Sequence, residues 1–418
     1  MSDSETVSET VRRPKLFYGW VVVACCCLLG MSVAVLHTFG VYLTELARQF
    51  GWSRATTSTV SSFSTVMYCL SAVTVGWLTD RFGPKRVIWP CAFLLGGGLI
   101  LSSRVQNLGQ LYLFYGTITA FGIGIAYSLP TAVVQRWFVQ KRGLALGVNM
   151  SGIGIGTLVI GLLLGYVIPL YGWRTAFIME GALFFVVLVA AAVFIVGHPE
   201  EKGLEPYGGG ENKISPAVAA LERTWSFREV LATGSFWAIY GIHFFASLSL
   251  LIVMVHIVPH AEDMGISKLV AAGALGLIGG FSIIGRLAVG GICDRIGFKT
   301  GIVLSLGLCA VMLVFLIFVK SIWMLYLFVF IFSLGYGGKA SSLPGVVGSV
   351  FGTRSLALIM GLVATSYGAA GIFGPPLGGW IFDTTGSYTI AFLAGAFSYA
   401  LGMLLVLAVR PETGPDRN

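Results

Sequence analysis

Apolar runs of twenty residues and more, separated by short polar turns, recur from one end of this chain to the other. Each can cross the hydrocarbon of a bilayer, which takes about 20 residues of helix. Inside hydrocarbon every backbone N–H and C=O needs a partner within the protein, so only helices and closed barrels span it. The alternating segments of a barrel strand are absent. The runs therefore read as about twelve helices, near 17–43, 55–79, 86–104, 110–135, 143–169, 174–197, 233–259, 270–293, 299–319, 323–350, 356–382 and 388–409. The fold class is an all-α membrane protein.

The longest polar interruption, His198 to about Arg228, leaves six helices on either side. The chain then divides into an N-terminal tail (1–16), a six-helix bundle (17–197), a central loop (198–230), a second six-helix bundle (231–409) and a C-terminal tail (410–418). Only 11% of residues are charged, against about a quarter in soluble domains, which excludes an ordinary soluble enzyme. The 56 glycines agree, because helices in lipid gain by packing closely through small residues. The first apolar run is too long for the core of a signal peptide and stays as a membrane helix.

The net charge of +8 follows from topology rather than from a nucleic-acid surface. Of the 26 lysines and arginines, 18 fall on the side of the N-terminus and 6 on the other. Basic loops remain in the cytoplasm, so both termini are expected there, with the chain in a cell's inner membrane. The two remaining cations, Arg286 and Lys339, lie inside predicted spans. All seven cysteines fall in apolar segments without metal-ligand or disulfide spacing, and neither a metal nor a cofactor is expected.

The halves echo each other. Gly76-Trp77-Leu78-Thr79-Asp80-Arg81-Phe82-Gly83-Pro84-Lys85 recurs as Gly290-Gly291-Ile292-Cys293-Asp294-Arg295-Ile296-Gly297-Phe298-Lys299, an offset of 214 residues that also relates Gly172 to Gly386. Related six-helix halves around a midplane site are a transporter architecture. Arg286 gives that site its chemistry, because no acid lies one turn away in its helix. A guanidinium at mid-membrane costs about 2.5–3.5 kcal/mol on insertion scales. Its planar fork can take a carboxylate through two parallel charge-assisted hydrogen bonds. The alternative is an arginine paired with a structural acid from another helix.

The repeated G-x-x-x-D-R-x-G-x-K loop resembles the signature loop of the major facilitator superfamily. In that likeness Asp80, Arg81, Asp294, Arg295 and Arg142 form a charge network that gates the cytoplasmic side. Tyr18-Gly19-Trp20-Val21-Val22 and Trp137-Phe138-Val139-Gln140-Lys141-Arg142-Gly143-Leu144-Ala145-Leu146-Gly147 resemble signature segments of monocarboxylate transporters and bacterial oxalate/formate exchangers. Val255-His256-Ile257-Val258-Pro259-His260 is similar to the bacterial members. The resemblance implies two pseudo-symmetric six-helix bundles of the major facilitator fold, with Arg286 as the carboxylate-binding arginine of the eighth helix. Two positions depart from the pattern. Ser282 stands where animal members carry an aspartate, and His37-Thr38 where they carry a lysine. Tyr367 aligns with the second cation of the oxalate exchanger.

Further candidates surround this arginine. Lys339, among glycines and serines of the tenth helix, either binds a second carboxylate, releases a proton during transport, or bonds backbone carbonyls near Pro344. His256 and His37 have the side chain that titrates nearest neutrality. Both are proton-coupling candidates, while His243 reads as structural. Tyr127, Tyr336 and Tyr367 offer hydroxyls, Asn149 an amide, and Glu180 an intramembrane acid with either a proton-related or a helix-bridging role. Gly371-Ile372-Phe373-Gly374-Pro375-Pro376 is expected to kink or break the eleventh helix.

The sequence thus reads as a secondary transporter of small monocarboxylates, lactate- or pyruvate-like, with a proton as co-substrate. The alternatives are a dicarboxylate exchanger using Arg286 and Lys339, and a transporter-like carboxylate sensor. No nucleophile-base or metal constellation indicates an enzyme, and no oligomer is required.

Overall fold

The computed structural model describes residues 17–126, 128–208, 225–352 and 356–410. Long helices follow one another: α1 (Gly19–Phe50), α2 (Arg54–Phe82), α3 (Pro84–Ser102) and α4 (Leu108–Trp137). The run Arg142–Phe194 is divided by Gly172, whose φ of 79° and ψ of 162° no helix accommodates, into α5 (142–171) and α6 (173–194). After a short helix, Phe227–Leu231, come α7 (Gly234–Asp263), α8 (Lys268–Ile296), α9 (Phe298–Leu316), α10 (Ile322–Phe351), α11 (Leu356–Thr385) and α12 (Thr389–Val406). Their apolar composition fixes their place in the bilayer, and local signals fix their ends. Ser53 caps α2 by accepting from the Thr56 amide, and Asn107 caps α4 by accepting from that of Gln110.

The internal repeat is written into the backbone. Gly83 and Gly297 end α2 and α8 with nearly the same dihedrals, φ 80° and ψ 160° against φ 85° and ψ 150°. Gly172 and Gly386, at φ 79° and 70°, make the corresponding turns before α6 and α12. Left-handed φ favours glycine at each.

The helices alternate in direction, so the turns after even-numbered helices share one face, called here the basic face for its lysines and arginines. The two six-helix halves meet chiefly along α2 against α11 and α5 against α8. At the second seam Gly154 and Gly279 leave no room for a side chain. A Cβ on Gly154 would lie 2.5 Å from the Gly279 carbonyl oxygen. Gly152 and Gly156, two residues either side, abut the Cys27 and Met31 carbonyls of α1 instead. The glycine run of α5 thus serves two neighbours at once.

Two expectations changed. The first helix was expected to end at 43, before Glu45, but continues to Phe50 because Glu45 finds Lys268 as partner beyond the apolar zone. The eleventh helix passes through Pro375 and Pro376 without ending. A further departure is in α4, which reads as a plain helix yet widens into π turns over Tyr112–Thr119 and tightens over Gly124–Ala126. The Thr117 and Thr119 hydroxyls donate to carbonyls five residues back, those of Tyr112 and Phe114. Such irregular turns commonly mark functional sites.

Candidate functional site

Arg286 leaves α8 beside the seam between the halves. Its Nη1 donates to the Met150 carbonyl oxygen of α5 at 2.6 Å, a bond from one half of the molecule to the other. Its Nε is buried and has no hydrogen-bond partner, and the Tyr336 ring centroid lies 5.9 Å from Cζ. α10 holds α8 closely here: Gly337 packs on the Ser282 carbonyl and the Arg286 amide, and Ser341 Oγ donates to the Arg286 carbonyl at 2.8 Å. No described side-chain acid pairs with the guanidinium. A neutral carbonyl satisfies only part of it, so its hydrogen-bonding capacity exceeds what the protein supplies.

His37 of α1 stands between the halves as well. Its Nδ1 is 3.3 Å from Thr157 Oγ1 of α5 and its Nε2 is 3.4 Å from the Tyr367 hydroxyl of α11. Thr157 gives its own proton to the Ile153 carbonyl, so it accepts from Nδ1–H, and Nε2 accepts from Tyr367. Both ring nitrogens are matched with the imidazole neutral. Ser282, fully buried, spends its hydroxyl on the Gly279 carbonyl at 2.6 Å.

Lys339 of α10 is 7% exposed, and no described residue accepts a hydrogen bond from it or pairs with it. Arg286, Cys309 of α9 and His243 of α7 lie within electrostatic range. Asn149, 1% exposed on α5, leaves both amide atoms without partners. Buried polar atoms are rarely left so, and an amide next to the residue that meets Arg286 has capacity for a ligand.

Glu180 is elsewhere. It is fully buried in the N-terminal half, where Oε2 accepts from the Tyr42 hydroxyl at 2.8 Å and Oε1 has no partner. Tyr42 stacks on Phe177 with centroids 4.0 Å apart. This geometry is that of a bridge between α1 and α6.

His256 belongs to a different assembly, one for which the sequence reading had no place. At the face opposite the basic loops two clasps join the halves. In the first, Arg54 of α2 donates to both carboxylate oxygens of Asp263 at 2.6 Å each and to the Tyr388 hydroxyl at 2.9 Å. Its guanidinium also lies 3.8 Å from the Phe382 ring centroid. Asp383 of α11 accepts from the Arg54 and Ala55 amides at 3.1 and 2.8 Å, placing a carboxylate on the N-terminus of α2, where the helix dipole favours it. In the second clasp Lys268 meets Glu45 at 2.9 Å and Glu262 at 3.2 Å, while Thr44 donates to Glu262 at 2.7 Å. His256 backs the first clasp. Tyr388 accepts from Arg54, so its own proton points to His256 Nδ1 at 3.2 Å, and Nε2–H donates to the Pro375 carbonyl at 2.7 Å.

The cross-half bonds among described residues thus run from Arg286–Met150 to the clasps. Toward the basic face a Cβ added to Gly147 of α5, Gly291 of α8 or Gly361 of α11 would meet nothing within 4 Å. The ion pairs that join the halves lie at the face opposite the basic loops, called here the sealed face. Of the expected gate at the basic face, Arg81 and Arg295 are exposed, with Arg81 lying over the Trp77 and Phe82 rings. Tyr127 and the side chains of Asp80, Arg142 and Asp294 lie outside the described residues.

Comparison with known proteins places this geometry. The sequence model of the Major Facilitator Superfamily matches residues 20–322 and 281–418. Monocarboxylate transporter 12 of Xenopus laevis is 26% identical over 404 residues, covering 93% of this chain and 88% of the relative. Monocarboxylate transporter 13 of Rattus norvegicus is 27% identical, covering 93% and 89%. Among solved structures, a bacterial homologue of the human lysosomal transporter Spinster, inward-facing and unoccupied, superposes with a TM-score of 0.68 at 16% identity, over 94% of this chain and 95% of its own. That last likeness concerns the fold alone.

Proposed function

The chain belongs to the Major Facilitator Superfamily, and we propose that it carries small organic monocarboxylates of the lactate and pyruvate kind by alternating access, with a proton as co-substrate. One observation carries the reading. Arg286 sits at the junction of the two halves, held by a single backbone carbonyl, with a second nitrogen unpartnered and no acid among the described side chains to neutralise it. A carboxylate supplies what is missing: negative charge and two acceptor oxygens in the plane of the guanidinium. The relatives named as monocarboxylate transporters support the substrate class.

In this mechanism the carboxylate takes Arg286 from the Met150 carbonyl. Asn149, Tyr336, Tyr367 and Tyr127 receive the rest of the substrate, and a hydroxyl or oxo group beside the carboxylate gives them a second handle. The basic face lies in the cytoplasm, so the sealed face is the outer one, and substrate and proton leave inward before the empty halves rock back. The clasps then part, opening the outer side. Protonation accompanies binding because an anion entering hydrocarbon alone is costly.

The test is uptake of labelled lactate, pyruvate, acetate and oxalate into liposomes bearing the purified protein, with and without an inward proton gradient. Gradient-driven accumulation of lactate or pyruvate is the expected result. Flux of oxalate that requires internal substrate and ignores the gradient would replace this reading with dicarboxylate exchange.

A further inference from the structure

Proton symport requires a group that binds and releases a proton, and Ser282 and His37-Thr38 stand where animal members carry an aspartate and a lysine. Among the described residues four histidine, lysine and acidic side chains are buried, and their hydrogen bonds separate them. His256 is fixed as a neutral ring by Tyr388 on one side and the Pro375 carbonyl on the other. Protonating it would require Tyr388 to turn its hydroxyl away, against the bond from Arg54. His37 is likewise neutral between Thr157 and Tyr367. Glu180 is tied to Tyr42 within the N-terminal half, and no described hydrogen bond leads from it to Arg286.

Lys339 differs in its hydrogen bonding and in its neighbours. It is buried, it has no partner among the described residues, and it shares the interior of the C-terminal half with Arg286. Between residues 264 and 382 the sequence holds one acid, Asp294, near the basic end of α8. Two cations therefore occupy an interior to which no spanning segment of their own half contributes a midplane acid. A guanidinium cannot give up its charge in a protein, whereas an ammonium can.

The groups facing Lys339 are Arg286 from α8, Cys309 from α9 and His243 from α7. Cys309 Sγ donates to the Phe332 carbonyl at 3.7 Å, and Tyr399 of α12, Tyr336 of α10 and Tyr367 of α11 lie within electrostatic range of one another beside it. His243 is anchored: Ser366 gives its proton to the Val363 carbonyl, so it accepts from His243 Nδ1–H at 2.8 Å.

We propose that Lys339 is the group that takes up the co-transported proton, and that the occupancy of Arg286 decides when. The proposal rests on the symport reading above. In the empty carrier Arg286 carries the interior's single positive charge and Lys339 is the free amine. When a carboxylate neutralises Arg286, a second cation becomes tolerable, and the ε-amino lone pair takes a proton from water on the side that is open. After the halves rock, the carboxylate leaves and the ammonium again faces an uncompensated guanidinium. It then returns its proton to water on the other side. Empty and loaded forms both carry one net positive charge, so each cycle moves one carboxylate and one proton with no net charge.

Exchange of substrate for substrate requires no deprotonation, which gives the test. In liposomes the wild type should accumulate lactate about tenfold per pH unit of gradient, the limit for one coupled proton. Lys339→Met and Lys339→Arg should both exchange labelled for unlabelled lactate yet accumulate none, a ratio near one. Arginine keeps the charge, so its failure to rescue separates proton exchange from a merely structural role. Gradient-driven accumulation by Lys339→Arg would overturn the proposal. His243→Asn, which removes the neighbouring imidazole, should retain accumulation; its loss there would move the proton to His243 and equally overturn it. For a variant inactive in flux, lactate added to purified protein in weakly buffered detergent gives a third readout. The wild type should take up a proton, and proton uptake by Lys339→Arg would refute the assignment. If the wild type itself accumulates nothing under a gradient, the symport reading falls and the proposal falls with it; a coupled wild type with coupled variants removes Lys339 alone.

Discussion

Removing Arg54 should open the face opposite the basic loops. Arg54→Ala deletes two hydrogen bonds of 2.6 Å to Asp263, one of 2.9 Å to Tyr388 and a ring contact at 3.8 Å with Phe382. The Arg54 side chain is 17% exposed and that of Asp263 35%, so solvent screens part of the pair. An exposed ion pair is worth up to about 1 kcal/mol, and a cation over an aromatic ring adds roughly 0.5–1 kcal/mol. With partial burial the clasp should favour the sealed form by about 2 kcal/mol, a factor of roughly thirty in population. A sealed form favoured about 100 to 1 would fall to about 3 to 1. Spin labels at Arg104 and Lys320, exposed on turns opposite the basic face in opposite halves, report the change in a background free of the native cysteines. Pulsed dipolar spectroscopy should find a second, longer distance in Arg54→Ala and in Asp263→Asn. A single unchanged distance in both would refute the argument that this clasp holds the face shut.

Gly279→Val puts side-chain atoms where the Gly154 carbonyl lies 2.8 Å from a Cβ. The variant should insert and fold but hold the α5–α8 seam apart, cutting lactate exchange at least tenfold, as read in counterflow. Tyr42→Phe leaves both Glu180 carboxyl oxygens without a partner in a fully buried site. An unmet buried polar group costs about 1–3 kcal/mol, so the thermal midpoint in detergent should fall, while the substrate affinity of the folded protein stays unchanged.

Much of the fold was legible because membrane insertion imposes length and composition on each helix. The 214-residue repeat reappears as matched dihedrals at Gly83 and Gly297, since a left-handed turn needs the same residue in both halves. Arg286 and Lys339 stood out as the two cations inside spans, and both lie in the C-terminal interior. The clasps were not legible. Their pairings join residues 209 to 334 positions apart, which no local pattern encodes. A signal was nonetheless present: a chain with 11% charged residues places Glu45, Arg54, Glu262, Asp263, Lys268 and Asp383 at helix ends beside three short turns. His256 was singled out for its chemistry, but the use of its ring depends on Tyr388 and Pro375, over a hundred residues away. The widened turns of α4 show in threonine hydroxyl bonds that reach five residues back, which apolar periodicity does not record.

The central claim is that a substrate carboxylate meets Arg286. Calorimetric titration of purified protein with lactate tests it without requiring flux. The account predicts saturable binding to the wild type and a loss of about 2–5 kcal/mol in Arg286→Ala, the usual consequence of truncating one partner of a buried charge pair. Binding to Arg286→Ala as tight as to the wild type would contradict it.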